Sequence, residues 1–125
     1  MIKEVAFVAI AVSDAERARK FYQETLELSP AMEAMGGAWV EYELGGTTIG
    51  VGCHPAWQPS RDGTTVAFEV EDIDKAIAKL KERGVAFDME KTETPVCFMA
   101  QFRDPDGNKL MIHKLKPENE KGVCK

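Results

Sequence analysis

The sequence predicts an α+β fold in which two βαβββ modules form a curved mixed-sheet cup. Three observations lead there. First, Phe7–Asp14, FVAIAVSD, returns as Thr65–Asp72, TVAFEVED, matching Val8 with Val66, Ala9 with Ala67, Val12 with Val70 and Asp14 with Asp72 at an offset of 58 residues. A fixed self-match of this kind dictates a repeated supersecondary unit. Second, each copy runs from an apolar strand-like stretch through a capping residue into an amphipathic segment. Third, each is followed by three short strand-like runs joined by turn chemistry.

In chain order, Val5–Val12 is rich in Val, Ile and Ala and ends abruptly, which predicts a buried strand. Ser13 or Asp14 caps the helix that follows, with Glu16 placed as in a capping box. Ala15, Ala18, Phe21 or Tyr22, and Leu26 give that helix one apolar face. Strands are then expected near Ala31–Met35, at Trp39–Leu44 and at Thr47–Cys53, with Gly45-Gly46 as the hairpin turn between the last two. The interval His54–Gly63 holds two prolines and few strand formers, so it reads as a linker.

The second module repeats the plan. Thr65–Val70 is the strand and Asp72 the cap; Ile73, Ala76, Ile77 and Leu80 form the helix face, and Gly84 stops the helix. Val85–Met89, Val96–Phe102 and Lys109–Leu115 are the expected strands, the last two joined by the turn Asp104-Pro105-Asp106-Gly107. The organisation is one domain over residues 1–125, with module one at about 4–53, the linker at 54–63, module two at about 64–115 and a charged tail at 116–125.

A chain of 125 residues buries roughly two thirds of its unfolded surface, enough for a core without staples. A net charge of −5 without a basic stripe argues against nucleic acid as a partner. No stretch approaches the length of a membrane span. Cys53, Cys97 and Cys124 lack metal spacing and read as free thiols in a reducing cytoplasm. Nor is there a phosphate-cradling glycine loop or a serine-hydrolase elbow.

Strand alternation separates two faces. Val8, Ile10, Val12, Val66, Phe68, Val70, Ile49, Val51, Leu110 and Ile112 point to the helices. The opposite face carries Phe7, Ala9, Ala11, Thr48, Gly50, Gly52, Thr65, Ala67, Glu69, Lys109, Met111 and His113, a small and mixed set that suits a cavity. A dimer contact or a solvated face would also use it.

Two βαβββ units, the stretch S-D-x-x-x-A-x-x-F-Y from Ser13 to Tyr22, and the stretch F-x-D-P-D-G-N from Phe102 to Asn108 together resemble the vicinal oxygen chelate superfamily. Its members include glyoxalase I, extradiol dioxygenases, fosfomycin-resistance transferases and bleomycin-resistance proteins. The resemblance runs from Val5 to about His113. In the metal-dependent members it implies ligands at the start of each module's first strand and on each module's last strand. Those places fall on Phe7, Thr65, Gly50 and Met111 in this chain. Phe, Thr, Gly and Met do not form a divalent-metal shell, and the neighbouring residues are apolar, so neither metal nor another cofactor is expected.

Other chemistry is sparse. Glu69 and His113 share the cup-side parity and form a candidate acid–base pair; the plainer reading leaves both hydrated at the rim. Trp39 and Glu41 present an aromatic plate and a carboxylate, suited to a flat or cationic ligand if Val40 faces the helix, and Ala100 and Phe102 are taken as their module-two equivalents. His54 and Trp57 either close over the cavity mouth or pack the loop, and Cys53 is expected to be buried and inert.

The resulting expectation is a metal-free, small-molecule-binding homodimer of the bleomycin-resistance type, sequestering an antibiotic or another cationic or aromatic ligand. Phe7, Trp39, Glu41, Gly50, Thr65, Glu69, Phe102, Met111 and His113 are the expected lining. One alternative is a glyoxalase- or dioxygenase-type enzyme with a displaced metal site using His113, Glu69, Glu41 or His54. Another is a structural or regulatory dimer without a ligand.

Overall fold

The computed structural model describes Met1 and residues 5–122; Cys124, expected as a free thiol, lies outside them, as do residue 4 at the start of the first module and residues 123–125 of the charged tail. The chain divides into two compact units, residues 1–61 with 105–108 and residues 62–104 with 109–125. Each carries one four-stranded mixed sheet built from one copy of the repeat.

In the first unit, β1 (Val8–Ala11) leads to α1 (Ala15–Lys20), then β2 (Pro30–Ala34), β3 (Trp39–Leu44) and β4 (Thr47–Gly52). The sheet order is β1-β4-β3-β2, with β1 parallel to β4 and the remaining pairs antiparallel. Asp14, in extended conformation, is the N-cap of α1 and its carboxylate accepts from the Arg17 N–H at 3.0 Å. The helix then widens into one π turn, Phe21–Thr25. Ala18, Phe21 and Tyr22, at i, i+3 and i+4, form the buried face on which the widened turn follows. The Tyr22 ring stacks with Tyr42 at 6.1 Å, and Ile10, Val12, Val40, Ile49 and Val51 complete the buried side of the sheet. Burial pushes the Tyr42 hydroxyl above its ordinary pKa, opposed by the hydrogen bond it accepts from Gln23.

The second unit repeats this path with β5 (Val66–Glu69), α2 (Ile73–Glu82), β6 (Phe87–Glu93), β7 (Cys97–Arg103) and β8 (Lys109–Leu115), ordered β5-β8-β7-β6. Asp72 caps α2 as Asp14 caps α1, accepting from Lys75 N–H at 3.0 Å. Ile73, Ile77 and Leu80 bury one helix face, against a core that holds Cys97, Ala100, Phe102, Leu110 and Ile112. Gly84, with φ of +87°, follows the last turn, as the sequence predicts.

The turn Pro105–Asn108 belongs to the first unit. The Asp106 carboxylate accepts from the Ser13 N–H at 3.0 Å, from the Ser13 hydroxyl and from the Arg17 guanidinium at 2.9 Å. The Asn108 amide donates to the Ala11 carbonyl at 2.7 Å and its oxygen accepts from Ser60 N–H. The two most diagnostic sequence stretches are therefore direct partners: one supplies the donors that the other's acidic turn satisfies.

Candidate functional site

The first sheet's helix-free face is organised around Trp39. It pairs with Gly52, while Glu41 pairs with Gly50, so the indole lies across two glycines of the neighbouring strand. A Cβ on Gly50 would fall closer than 3.0 Å to ring carbons of Trp39, and one on Gly52 would meet Trp57 at 2.6 Å and Trp39 at 2.7 Å. Glycine at both places is what lets the indoles approach the backbone. Trp39 Nε1 donates to the Glu41 carboxylate at 2.9 Å, which fixes the ring's rotation.

Two further aromatics join edge-on. Phe7 meets Trp39 at 5.4 Å and Trp57 meets it at 5.7 Å, both T-shaped, a favourable geometry for aromatic pairs. Trp57 is placed by a tight turn in which its N–H donates to the His54 carbonyl at 2.9 Å, and the Ala56 N–H donates to His54 Nδ1 at 3.0 Å. Beside these rings a cavity of about 420 Å³ opens, walled by Met35, Trp39, His54 and Trp57 and floored by Ala38 and Gly52. Cys53 and Ala56 complete it, and its size falls in the range of small-molecule sites.

Several expectations change here. Of the expected lining, Trp39 does face the cavity and Phe7 supports it from the side. Gly50, expected to give open space, is buried beneath the Trp39 ring, and the Glu41 carboxylate is taken up by the indole N–H. Met35 and Cys53 enter the lining instead, together with His54 and Trp57, which the sequence left between the cavity mouth and loop packing. Cys53 is half-buried at the cavity wall, because β4 ends at Gly52 and strand alternation no longer governs its side chain. Met35 stands 74 % exposed with φ of +52°, which no sequence pattern foretold.

On the second sheet, Met111 pairs with both Ala67 and Gln101, and His113 pairs with both Glu69 and Met99. The module-two counterparts of Trp39 and Glu41 are thus Met99 and Gln101, in place of Ala100 and Phe102. Phe102 cannot line this face: it pairs with Leu110, points to the helix side and is fully buried against Phe87. Thr65 precedes β5 and is half-buried. The expected approach of Glu69 and His113 is present, with Nδ1 of the imidazole 2.6 Å from one carboxylate oxygen, while the other accepts from Leu115 N–H at 2.9 Å. Partial burial raises the Glu69 pKa, but the Leu115 N–H and the His113 ring outweigh it, and the carboxyl ends below its ordinary value.

The places where the resemblance expects metal ligands supply a phenyl ring, a glycine, one hydroxyl and one thioether. No group of three or more His, Cys, Asp or Glu is arranged to hold a metal ion among the described residues. This donor set does not fit a divalent ion, which needs carboxylate, imidazole or thiolate ligands. No helix among the described residues is long and apolar enough to cross a membrane.

Two βαβββ units, each with a parallel first-to-last strand pair, define a duplicated α+β protein. The chain belongs to the Glyoxalase/Bleomycin resistance protein/Dioxygenase superfamily, whose family model matches residues 4–112. It is similar to the protein YetH of Bacillus subtilis (strain 168), at 28% identity over 118 residues, covering 90% of this chain and 98% of YetH. Among solved structures it is similar to TnmS3, an antibiotic binding protein from Streptomyces sp. CB03234, with 29% identity, a TM-score of 0.76, and coverage of 92% of this chain and 98% of that one. A glyoxalase/dioxygenase from Nostoc punctiforme shares the fold at 20% identity and a TM-score of 0.77, with 92% of each chain covered.

Proposed function

We propose that this chain binds a planar aromatic small molecule in the cavity beside Trp39 and Trp57 and sequesters it without chemical change. The observation that carries this reading is the cavity wall itself. Two indoles and a methionine border a volume of about 420 Å³, with no carboxylate in its lining. Aromatic rings recognise a flat apolar partner by stacking and edge contacts, and methionine adapts to its outline. Similarity to an antibiotic-binding protein supports a sequestering role. The poor fit of the inherited ligand positions to a divalent ion supports a role without metal. We include in the proposal the homodimer that the family resemblance implies.

The test is tryptophan fluorescence against a panel of planar aromatic compounds, paired with thermal unfolding. A genuine ligand at about 100 times its Kd adds roughly 2.7 kcal/mol of stability and raises the melting temperature. Trp57→Ala should abolish the quenching while the protein stays folded. Failure of the whole panel to quench or stabilise, or unchanged affinity in Trp57→Ala, would overturn the proposal.

A second reading rests on the Glu69–His113 pair, whose 2.6 Å contact is that of an oriented general base. It requires that His113→Ala remove a detectable turnover, and it fails if turnover survives the substitution.

A further inference from the structure

We infer that Met35 is a ligand clamp: the turn between β2 and β3 holds it in a left-handed, water-exposed position at the cavity edge, at a cost to stability, and a bound ring is what covers its side chain. The inference rests on the aromatic-ligand reading above and adds the residue that closes on the ligand.

It starts from the backbone. Met35 has φ of +52°, a region that crowds the Cβ of an L-residue and that glycine occupies freely. Strain of this kind persists where surrounding contacts offset it or where function uses it. Contacts do not offset it here, because Met35 is 74% exposed. The residue nevertheless borders the cavity, together with Trp39 and Trp57. A large apolar side chain is thus kept in water beside two indoles.

The turn is anchored at its base and open at its tip. Ala34 pairs with Trp39, the Ala38 carbonyl accepts from Cys53 N–H at 2.8 Å, and the Gly37 carbonyl accepts from the Arg19 guanidinium at 3.1 Å. A Cβ on Gly37 would overlap that guanidinium, whereas one on Gly36 would meet nothing within 4 Å. Residues 37 and 38 are therefore fixed, and Met35 and Gly36 form the tip. A long unbranched thioether on such a tip can turn over a ring in the cavity and follow its outline while the strands stay in place.

The clamp separates stability from affinity. Glycine at position 35 removes the left-handed penalty, which is at least as large as the freedom glycine returns to the unfolded chain, and also removes the side chain that the ligand covers. Alanine removes the side chain and keeps the penalty.

Fluorenone and acridine, titrated by tryptophan fluorescence, and thermal unfolding of the unliganded proteins test this in Met35→Gly and Met35→Ala. Both variants should bind the probes about tenfold more weakly, the effect of one methionine no longer buried. Met35→Gly should melt no lower than the unsubstituted protein, and Met35→Ala should melt below Met35→Gly. Peroxide oxidation adds a readout without substitution. Saturating probe should slow sulfoxide formation at Met35 several-fold and leave Met32, which is 43% exposed and outside the lining, unchanged. Full probe affinity in Met35→Gly, a lowered melting temperature in that variant, Met35→Ala as stable as Met35→Gly, or oxidation of Met35 indifferent to probe would each overturn the clamp; the aromatic reading still stands if Trp57→Ala abolishes binding. If neither probe binds the unsubstituted protein, the aromatic reading falls for this class and the clamp with it.

Discussion

Gly50→Ala adds one methyl group to an extended position in the middle of β4, where the backbone accepts alanine without strain. The new Cβ would lie closer than 3.0 Å to two carbons of the Trp39 ring, which must move because the backbone of a paired strand will not. Overpacking of this sort costs about 1–3 kcal/mol. If the indole swings away it also loses its bond to Glu41, a further loss of about 1 kcal/mol. The combined cost of about 2–4 kcal/mol corresponds to a fall in melting temperature of roughly 10 °C for a chain of this size. A double-mutant cycle makes the test specific. Trp39→Ala alone should cost about 3 kcal/mol, yet in that background Gly50→Ala should become neutral, or stabilise by about 0.5 kcal/mol through the stiffer unfolded chain. Urea unfolding of the four proteins yields a coupling energy of about 2 kcal/mol or more. If Gly50→Ala costs the same with and without the indole, the seating of Trp39 on its glycines is refuted.

Asp106→Ala removes a carboxylate whose side chain is 6% exposed and strips acceptors from Ser13 and Arg17; a loss of about 2 kcal/mol is expected by urea unfolding, and Ser13→Ala should cost less. The Glu69 carboxyl has a folded pKa below its unfolded one, so the unfolded state binds the proton first on acidification. Its stabilising contribution is complete above the unfolded carboxylate value of about 4.3 and is lost as pH falls through the folded one. Glu69→Gln should therefore flatten the acid limb of the stability–pH profile and leave its alkaline limb unchanged. Elemental analysis of untagged protein should find no stoichiometric divalent ion, and zinc, nickel or manganese should leave the melting temperature unchanged.

Much of the fold was legible because the repeat fixed the element order and the turns fixed the registers. β3 and β8 fall at the expected residues, since Gly45-Gly46 and Gly107 pin the hairpins that bear them. β1 is shorter than its apolar run: Val5 and Phe7 are exposed, and the ladder begins where Val8 meets Ile49. Apolar composition signals burial, whereas a strand also needs a hydrogen-bonding neighbour. β6 runs on through charged residues to Glu93 because backbone pairing with β7 holds it there, and an exposed edge imposes little hydrophobic pattern. Between Phe21 and Tyr22 no choice was needed, because both lie on the helix face that Ala18 begins, at i+3 and i+4, and both are buried.

The candidate site was partly legible: Trp39 was read as lining and His54 and Trp57 as residues of the cavity mouth or the loop, whereas the seating of Trp39 on Gly50 was not read, and that has a physical lesson. Small residues at 50 and 52 were read as room for a ligand, but a glycine face is equally a seat for a large ring from the next strand. The hairpin register already distinguishes the two. A two-residue Gly45-Gly46 turn sets Leu44 against Thr47, and counting outward pair by pair places Glu41 across from Gly50 and Trp39 across from Gly52. A tryptophan facing paired glycines implies a ring laid on the sheet, so the free volume must lie beyond the end of the strand, where no further pairing closes it. That end is Cys53, His54 and Trp57. Their arrangement depends on a turn held by the His54 carbonyl and ring nitrogen, which has no periodicity to read. Two of the residues that differ from the metal-binding pattern, Phe7 and Gly50, are thus linked by packing through Trp39: once the indole lies over Gly50, no side chain can occupy that position without evicting the ring that walls the cavity.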